Sequence, residues 1–310
     1  MRTVVIGTRR SELAVTQTQW VMNQLQGQLP SSWEMKQERI VTKGDQILNV
    51  TLSKVGGKGL FVKEIEQALL DGRIDLAVHS MKDMPAEMPK GLTFGAITER
   101  EDARDCLISR TGARLEELPQ GAIVGTSSLR RQAQILALRP DLDVKPVRGN
   151  LQTRMKKMMD EKQFDALVLA QAGINRLGWE EKVTQVLIEE KMLPAVGQGA
   201  LAVQCREDDH EIIEILKSVH DEKTAAAIQA ERVFLHAFEG GCHLPIAGHA
   251  VREGGEIRLR GLVADPSGSP LLQGEAKGTD PAEVGRTLTS ELMDKGAREL
   301  LNQVKEEIEG

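Results

Sequence analysis

No stretch of this chain approaches the roughly 18 consecutive apolar residues that a membrane-spanning helix needs. The opening Met1-Arg2-Thr3-Val4-Val5-Ile6 leads into a short strand and not into the h-region of a signal peptide, so a cytoplasmic protein is expected. Cysteine is scarce. Cys106, Cys205 and Cys242 form an odd set with no C-x-x-C pair, which speaks against a disulfide framework or a zinc site. The histidines (His79, His210, His220, His236, His243 and His249) show no H-E-x-x-H or comparable spacing, and no metal is expected. A basic surplus is missing too: the net charge is −6, which argues against a general nucleic-acid binder. Tyrosine is absent altogether, and that absence touches none of the motifs below.

What is present is a chain of 310 residues, too long for one ordinary core and suited to about two or three domains. The strand Val4-Val5-Ile6 runs into Gly7-Thr8-Arg9-Arg10-Ser11. Beyond it Leu13, Ala14, Gln17, Trp20, Val21 and Leu25 keep a helical period. Ser11 is a plausible N-cap with Glu12 in the first turn. Strand, glycine turn and helix start offer backbone N–H groups and a positive dipole end to an anion, here with two arginines in the turn. A strand at Glu38-Arg39-Ile40-Val41 precedes Lys54-Val55-Gly56-Gly57-Lys58-Gly59. That loop lacks the first glycine and the Ser/Thr of a Walker A motif and reads instead as a mobile basic lid. Leu60-Phe61-Val62 opens a helix carrying Ile65, Ala68 and Leu69. Ile74 to His79 is a buried strand, followed by Ser80-Met81-Lys82-Asp83-Met84-Pro85 at its carboxyl end, where open α/β sheets collect ligands. Asp83 is therefore a candidate catalytic carboxylate.

After a strand at Leu92 to Ile97, the charged run Thr98 to Asp105 has no apolar periodicity and reads as a crossing between domains. The chain then starts again. Ala122-Ile123-Val124-Gly125-Thr126-Ser127-Ser128-Leu129-Arg130-Arg131 echoes Val4 to Ser11, and Phe164-Asp165-Ala166-Leu167-Val168-Leu169 echoes Ile74 to His79. Two α/β lobes of related design with a ligand cleft between them are the simplest explanation. A strand at Asp143 to Val147 and the turn Arg148-Gly149-Asn150 lead to a helix with Met155 and Met158, flanked by Arg148 and Arg154. Arginine at repeated strand-to-helix turns fits a carboxylate or phosphate ligand, which its planar fork binds in bidentate fashion. Pro194 to Ala200 reads as the return crossing, so that two connections form a hinge. The expected domains are residues 1–99 with 200–217, 105–193, and a small α+β unit at 222–310. In that unit a helix from Thr224 to Phe238 ends at Glu239-Gly240-Gly241-Cys242-His243-Leu244-Pro245, a bend that presents one thiol. Strands at Ala247 to Val251 and Ile257 to Val263 and a helix from Pro281 onward complete it.

Gly7 to Ser11, Val55 to Lys63, Ala77 to Asp83, Gly125 to Gln132, Val147 to Asn150, Gly197 to Ala200 and Gly240-Gly241-Cys242 resemble, in this order, the motifs of the porphobilinogen deaminases, also called hydroxymethylbilane synthases. The resemblance covers essentially the whole chain. It implies three domains, the first two like the lobes of periplasmic binding proteins, and a dipyrromethane cofactor joined by a thioether to Cys242. It implies that four porphobilinogen molecules are added head to tail with loss of ammonia and that water releases hydroxymethylbilane. Residue by residue, Asp83 would be the catalytic carboxylate. Ser11, Lys82, Asp83, Thr126, Ser128, Arg130 and Arg131 would bind the cofactor, while Arg9, Arg148, Arg154 and the lid residue Lys58 would bind substrate. The enzyme is expected to act as a monomer that hands its product to uroporphyrinogen-III synthase, with no nucleic-acid or membrane partner. Two departures are mild: Glu12 stands where proline is frequent and His243 where glutamine is common. A two-lobed carboxylate receptor without catalysis is the alternative; Asp83 and Cys242 distinguish the two. A thiol enzyme using Cys242 as nucleophile would have only His243 as a nearby base.

Overall fold

The computed structural model describes residues 2–46, 62–85, 87–238 and 244–309; Lys58 of the basic loop and Cys242 with its bend lie outside the described residues. Among the described residues, one compact unit gathers the chain up to Glu101 with Gly199–Ala225, and the other gathers Asp102–Gln198 with Ala226–Gly310.

In the first unit β1 (Arg2–Arg9) leads to α1 (Glu12–Leu25), which starts where the Ser11 side chain accepts from the Ala14 N–H at 3.3 Å. β2 (Trp33–Ile40) is twice the length of the strand expected there and pairs with β1 in parallel along its whole length. Its alternating Glu34, Lys36 and Glu38 leave its first half without an apolar run, because an edge strand tolerates charge. α2 (Lys63–Leu70), β3 (Leu76–Ser80) and β4 (Leu92–Ile97) follow. The second unit then supplies β5 (Asp105–Ser109), β6 (Ile123–Gly125), α3 (Leu129–Leu138), β7 (Asp143–Lys145), α4 (Leu151–Met159), β8 (Ala166–Ala170), α5 (Gln171–Arg176) and β9 (Gln185–Leu187). Back in the first unit come β10 (Leu201–Arg206) and α6 (His210–Leu216).

The two five-stranded sheets have orders β2-β1-β3-β10-β4 and β7-β6-β8-β5-β9. In each, the first three strands are parallel, and the fourth, reached directly from a crossing, runs antiparallel to both neighbours. The sequence echo between the lobes is thus an echo of topology. Each sheet is covered on both faces, as buried parallel strands require. In the first unit Val4, Ile6, Leu76, Val78 and Val203 pack with Val21 and Leu25 of α1, whereas Ile40 and Ala77 pack with Ile65 and Leu69 of α2. In the second, Val124, Ala166 and Val168 meet Ile135 of α3, and Leu167 and Leu169 meet Met158 of α4. Gly7 and Gly125 permit this approach: a Cβ there would lie 2.4 Å from Ile74 Cδ1 and 2.6 Å from Leu167 Cδ2, respectively.

The C-terminal part of the second unit consists of most of α7 (Glu222–Ala237), β11 (Ile246–Glu253), β12 (Glu256–Ala264), β13 (Leu271–Gly278), α8 (Pro281–Asp294) and α9 (Ala297–Glu309), with the strands forming one antiparallel sheet. Phe234, Leu259, Val263 and Leu288 are central to its core. The single helix expected from Pro281 is two, broken at Gly296, whose φ of +90° is costly for any other residue. The other face of this sheet places Ala247, Leu262 and Ala264 against Ala133 and Leu193 of the second lobe. Glu231 of α7, fully buried, accepts from Gly197 N–H and Ala250 N–H, each at 2.7 Å. Glu189 lies between His249, at 3.1 Å, and Arg260. The bond to His249, with Arg260 adding to it, holds the Glu189 carboxyl down at about 2 against the pull of desolvation.

Candidate active site

The side chains singled out in the sequence fall into two sets, one in each unit. In the first unit β3 ends at Ser80 and the chain makes one tight turn, Met81–Asp83. The turn is pinned at both sides, since Met81 N–H donates to Ala200 O at 3.0 Å and Met84 N–H donates to Met81 O at 3.1 Å. Met81 and Met84 are buried, and Lys82 and Asp83 between them are half-buried, presented where the strand runs out. On the neighbouring strand Arg9 is half-buried and Arg10 exposed. The Ser11 hydroxyl caps α1, Thr8 Oγ1 donates to Ala14 O at 3.1 Å, and Gln17 Nε2 donates to Ser80 Oγ at 3.2 Å. The first turns of α1, the end of β1 and the end of β3 are therefore tied together just before the turn that carries Lys82 and Asp83.

In the second unit the turn after β6 is bonded internally. Thr126, buried, accepts at Oγ1 from Ser128 N–H at 3.2 Å, Ser127 Oγ donates to Val147 O at 2.7 Å, and the Ser128 side chain caps α3. Asn150 caps α4, accepting from Thr153 N–H at 2.9 Å, and Arg154 Nε donates to Gly149 O at 2.8 Å. Arg148 and Arg154 are half-buried, and burial lowers the pKa of Arg148. A guanidinium kept partly out of water gains more from a bound carboxylate than an exposed one.

Arg130 and Arg131 are placed differently: they are 3 % and 6 % exposed, and both meet Asp105, itself 0 % exposed. Arg130 Nη1 donates to Asp105 Oδ2 at 2.7 Å and to Leu193 O at 2.8 Å. Arg131 donates to Asp105 Oδ1 through Nε and Nη2 and to Val168 O through Nη1. Gln198 Nε2 adds a bond to Asp105 at 2.8 Å. Burial pushes the Asp105 carboxyl up, but the charges of Arg130 and Arg131 outweigh it and hold the group well below the usual carboxylate range. Two guanidiniums share one carboxylate, so the cluster keeps a net positive charge beside the turn that carries Thr126 and Ser128.

No local signal in the sequence marks Asp105 and Gln198 as members of this cluster. Asp105 ends the charged run that reads as a crossing between domains, and its arginine partners lie 25 and 26 positions away. In the sequence His79 is part of a motif and has no role of its own. In the structure it is buried and bonded to Gln204 of β10, a pairing 125 positions apart that no local signal announces. Burial raises the thiols of Cys106 and Cys205 to about 12 and about 11, which leaves both inert at neutral pH. Among the described residues no group of three His, Cys, Asp or Glu side chains could hold a metal ion, and no helix is long and apolar enough to cross a membrane.

Two family models match the chain: "Porphobilinogen deaminase, dipyromethane cofactor binding domain" over residues 4–214, and "Porphobilinogen deaminase, C-terminal domain" over residues 225–294. A porphobilinogen deaminase of Oceanobacillus iheyensis is 54 % identical over 311 residues, covering 100 % of both chains. One from Bacillus subtilis is 54 % identical, covering 100 % of this chain and 98 % of its own. Among solved structures, a Salmonella typhimurium periplasmic binding protein with high arginine specificity aligns at 13 % identity and a TM-score of 0.41, covering 71 % of this chain and 92 % of its own. The second substrate-binding domain of a putative amino acid ABC transporter from Streptococcus pneumoniae aligns at 13 % identity and a TM-score of 0.43, covering 73 % and 96 %.

Proposed function

We infer the function from one premise: the chain belongs to the porphobilinogen deaminase family. It is a transferase of porphyrin biosynthesis that joins four porphobilinogen molecules head to tail, releases ammonia at each addition and yields hydroxymethylbilane by hydrolysis. The observation that carries this reading is the match of the cofactor-binding family model to residues 4–214, a span that includes Asp83.

The roles of single residues are our proposal. The dipyrromethane supplies, when bound, a primer with a nucleophilic pyrrole carbon and a set of carboxylates. The donor chemistry of the chain suits such a group, because Arg9, Lys82, Arg148 and Arg154 are half-buried cations of the kind that pair with acetate and propionate side chains. Ser11, Thr126 and Ser128 act through the turns they cap. Arg130 and Arg131 contribute through the residual charge of the Asp105 cluster. Asp83 is the catalytic carboxylate. As porphobilinogen loses its amine, positive charge develops on the pyrrole nitrogen, and a half-buried carboxylate at the end of β3 stabilises it and exchanges the proton. Cys242 is the thioether anchor and Lys58 belongs to the lid; both lie outside the described residues. We further propose the domain limits given above, a cytoplasmic monomer, and release of product to uroporphyrinogen-III synthase.

Intact mass spectrometry tests the reading. The active protein should exceed its chain mass by two linked pyrrole units, and Cys242→Ala should lack both the increment and the activity. An unmodified mass in fully active protein would overturn it.

A further inference from the structure

On the α2-facing side of the first sheet one chain of polar groups lies beside the apolar cluster of Ile65, Leu69 and Ala77. His79 of β3 is 5 % exposed, Glu66 of α2 is 7 % exposed, and Gln204 of β10 is fully buried between them. His79 Nε2 lies 3.1 Å from Gln204 Oε1, and Gln204 Nε2 donates to Glu66 Oε1 at 3.2 Å and to Met88 Sδ at 2.9 Å. The chain has one consistent direction. With its amide nitrogen given to Glu66, Gln204 can only accept at Oε1, so Nε2 of His79 carries the hydrogen and Nδ1 carries a lone pair. Burial, reinforced by the charge of Arg9 and opposed by the Gln204 bond, lowers the His79 pKa to about 4, so the ring is neutral at pH 7. Glu66, raised by burial, and Lys63 beside it are the other titratable groups that bear on this chain.

The strand register says what flanks the ring. β1 and β3 pair in parallel with Gly7 opposite Ala77. Continued two residues along both strands, this register would bring Arg9 to the same face as His79, whose ring lies within reach of the Arg9 charge. The second lobe has no such arrangement. Leu169 occupies the place four residues after Asp165 that His79 occupies after Asp75.

We propose that His79 is a positioning residue for the polymerisation, its Nδ1 accepting from the Arg9 guanidinium and so turning that guanidinium toward a substrate carboxylate. This rests on the reading of Arg9 as a carboxylate-binding residue. A neutral acceptor orients the guanidinium without cancelling its charge, which a carboxylate in the same place would do.

Two substitutions separate the ring nitrogens. His79→Gln puts an amide N–H where Nε2 stands, keeping the Gln204 bond and losing the Nδ1 acceptor. His79→Asn puts an amide oxygen where Nδ1 stands and loses the Gln204 bond. In holoenzymes of verified two-pyrrole mass, His79→Gln should raise KM for porphobilinogen about tenfold, the loss of one hydrogen bond to a charged group, with kcat nearly unchanged. His79→Asn should keep KM within about twofold while lowering Tm, since the buried Gln204 loses a partner. A merely structural histidine gives the reverse order, and that result would overturn the proposal. If Arg9→Gln raises KM and His79→Gln does not, the positioning role fails while the reading of Arg9 stands. If Arg9→Gln leaves KM unchanged, the reading of Arg9 falls and the positioning role falls with it. The wild-type imidazole 15N spectrum gives a check independent of the His79 variants. It should show the Nε2–H tautomer at neutral pH and an Nδ1 resonance that shifts in Arg9→Gln; an Nδ1 signal indifferent to Arg9 would overturn the proposal.

Discussion

The two lobes can be compared strand by strand. At the start of β3 and of β8 an aspartate accepts from a backbone N–H of the neighbouring parallel strand: Asp75 from Val5 at 2.8 Å and Asp165 from Ile123 at 2.9 Å. Each aspartate is also paired to an arginine at the end of the antiparallel strand, Arg206 at 2.9 Å and Arg110 at 2.6 Å. At the opposite end the likeness stops. Eight residues after Asp75 stands Asp83, whereas eight after Asp165 stands Gly173; Lys82 is answered by Ala172. Five residues before Arg206 stands Leu201, whereas five before Arg110 stands Asp105. A duplicated frame thus carries unequal ends. The first lobe presents its carboxylate beside a lysine, and the second buries one against two arginines.

The largest effect should come from the presented acid. Asp83→Asn should lower kcat by about 10²–10⁴-fold, the usual worth of a positioned acid–base group, with little change in Tm. Adding Gly173→Asp to that variant should restore nothing, and recovery would show that the lobes are chemically interchangeable after all. Next in size is the buried acid. Asp105→Leu leaves two buried guanidiniums without their anion and should cost about 3–5 kcal/mol in urea unfolding. The mirror change Leu201→Asp buries a carboxylate with no arginine to meet it and should also destabilise strongly. A mild effect in either would mean that the two sites differ less than their partners suggest.

The smallest effect concerns acid sensitivity. His79 drops from 6.5 to about 4 on folding, so its contribution is intact above pH 6.5 and lost as pH falls toward 4, because the unfolded chain takes up the proton first. Glu189, in the second unit, drops from 4.5 to about 2, and its contribution is lost only between those values. At pH 5, amides of β3 and β10 should exchange faster than at pH 7 after correction for intrinsic rates, while those of β11 and β12 hold. Equal loosening of both units would erase the distinction.

The doubled frame was legible in the sequence because glycine turns and apolar strand runs are local signals, and both appear twice in the same order. The unequal ends were legible only in part. Asp83 follows an obvious strand and could be picked out. Asp105 opens a strand, Cys106-Leu107-Ile108, that was missed because a charge stands at its head, and only the fold brings Arg130 and Arg131 to it. The same holds for Gln204, which looks like a polar interruption in an apolar strand until His79 and Glu66 are set beside it. β13 offers no apolar run beyond Leu271-Leu272, since Gln273, Glu275 and Lys277 are exposed on an edge strand.

The position of β10 between β3 and β4 bears on how the chain comes off the ribosome. All five strands of the second sheet lie within Asp105–Leu187, whereas the first sheet lacks an inner strand until Leu201–Arg206 has been made. The N-terminal lobe is begun first and finished second: β4 has no hydrogen-bonded neighbour in the sheet until the whole second lobe has been synthesised. During that interval β3 offers an open edge of Leu76, Ala77 and Val78, the kind of transient exposure that nascent-chain chaperones cover. The same insertion that gives the enzyme its second lobe makes its first the last to close.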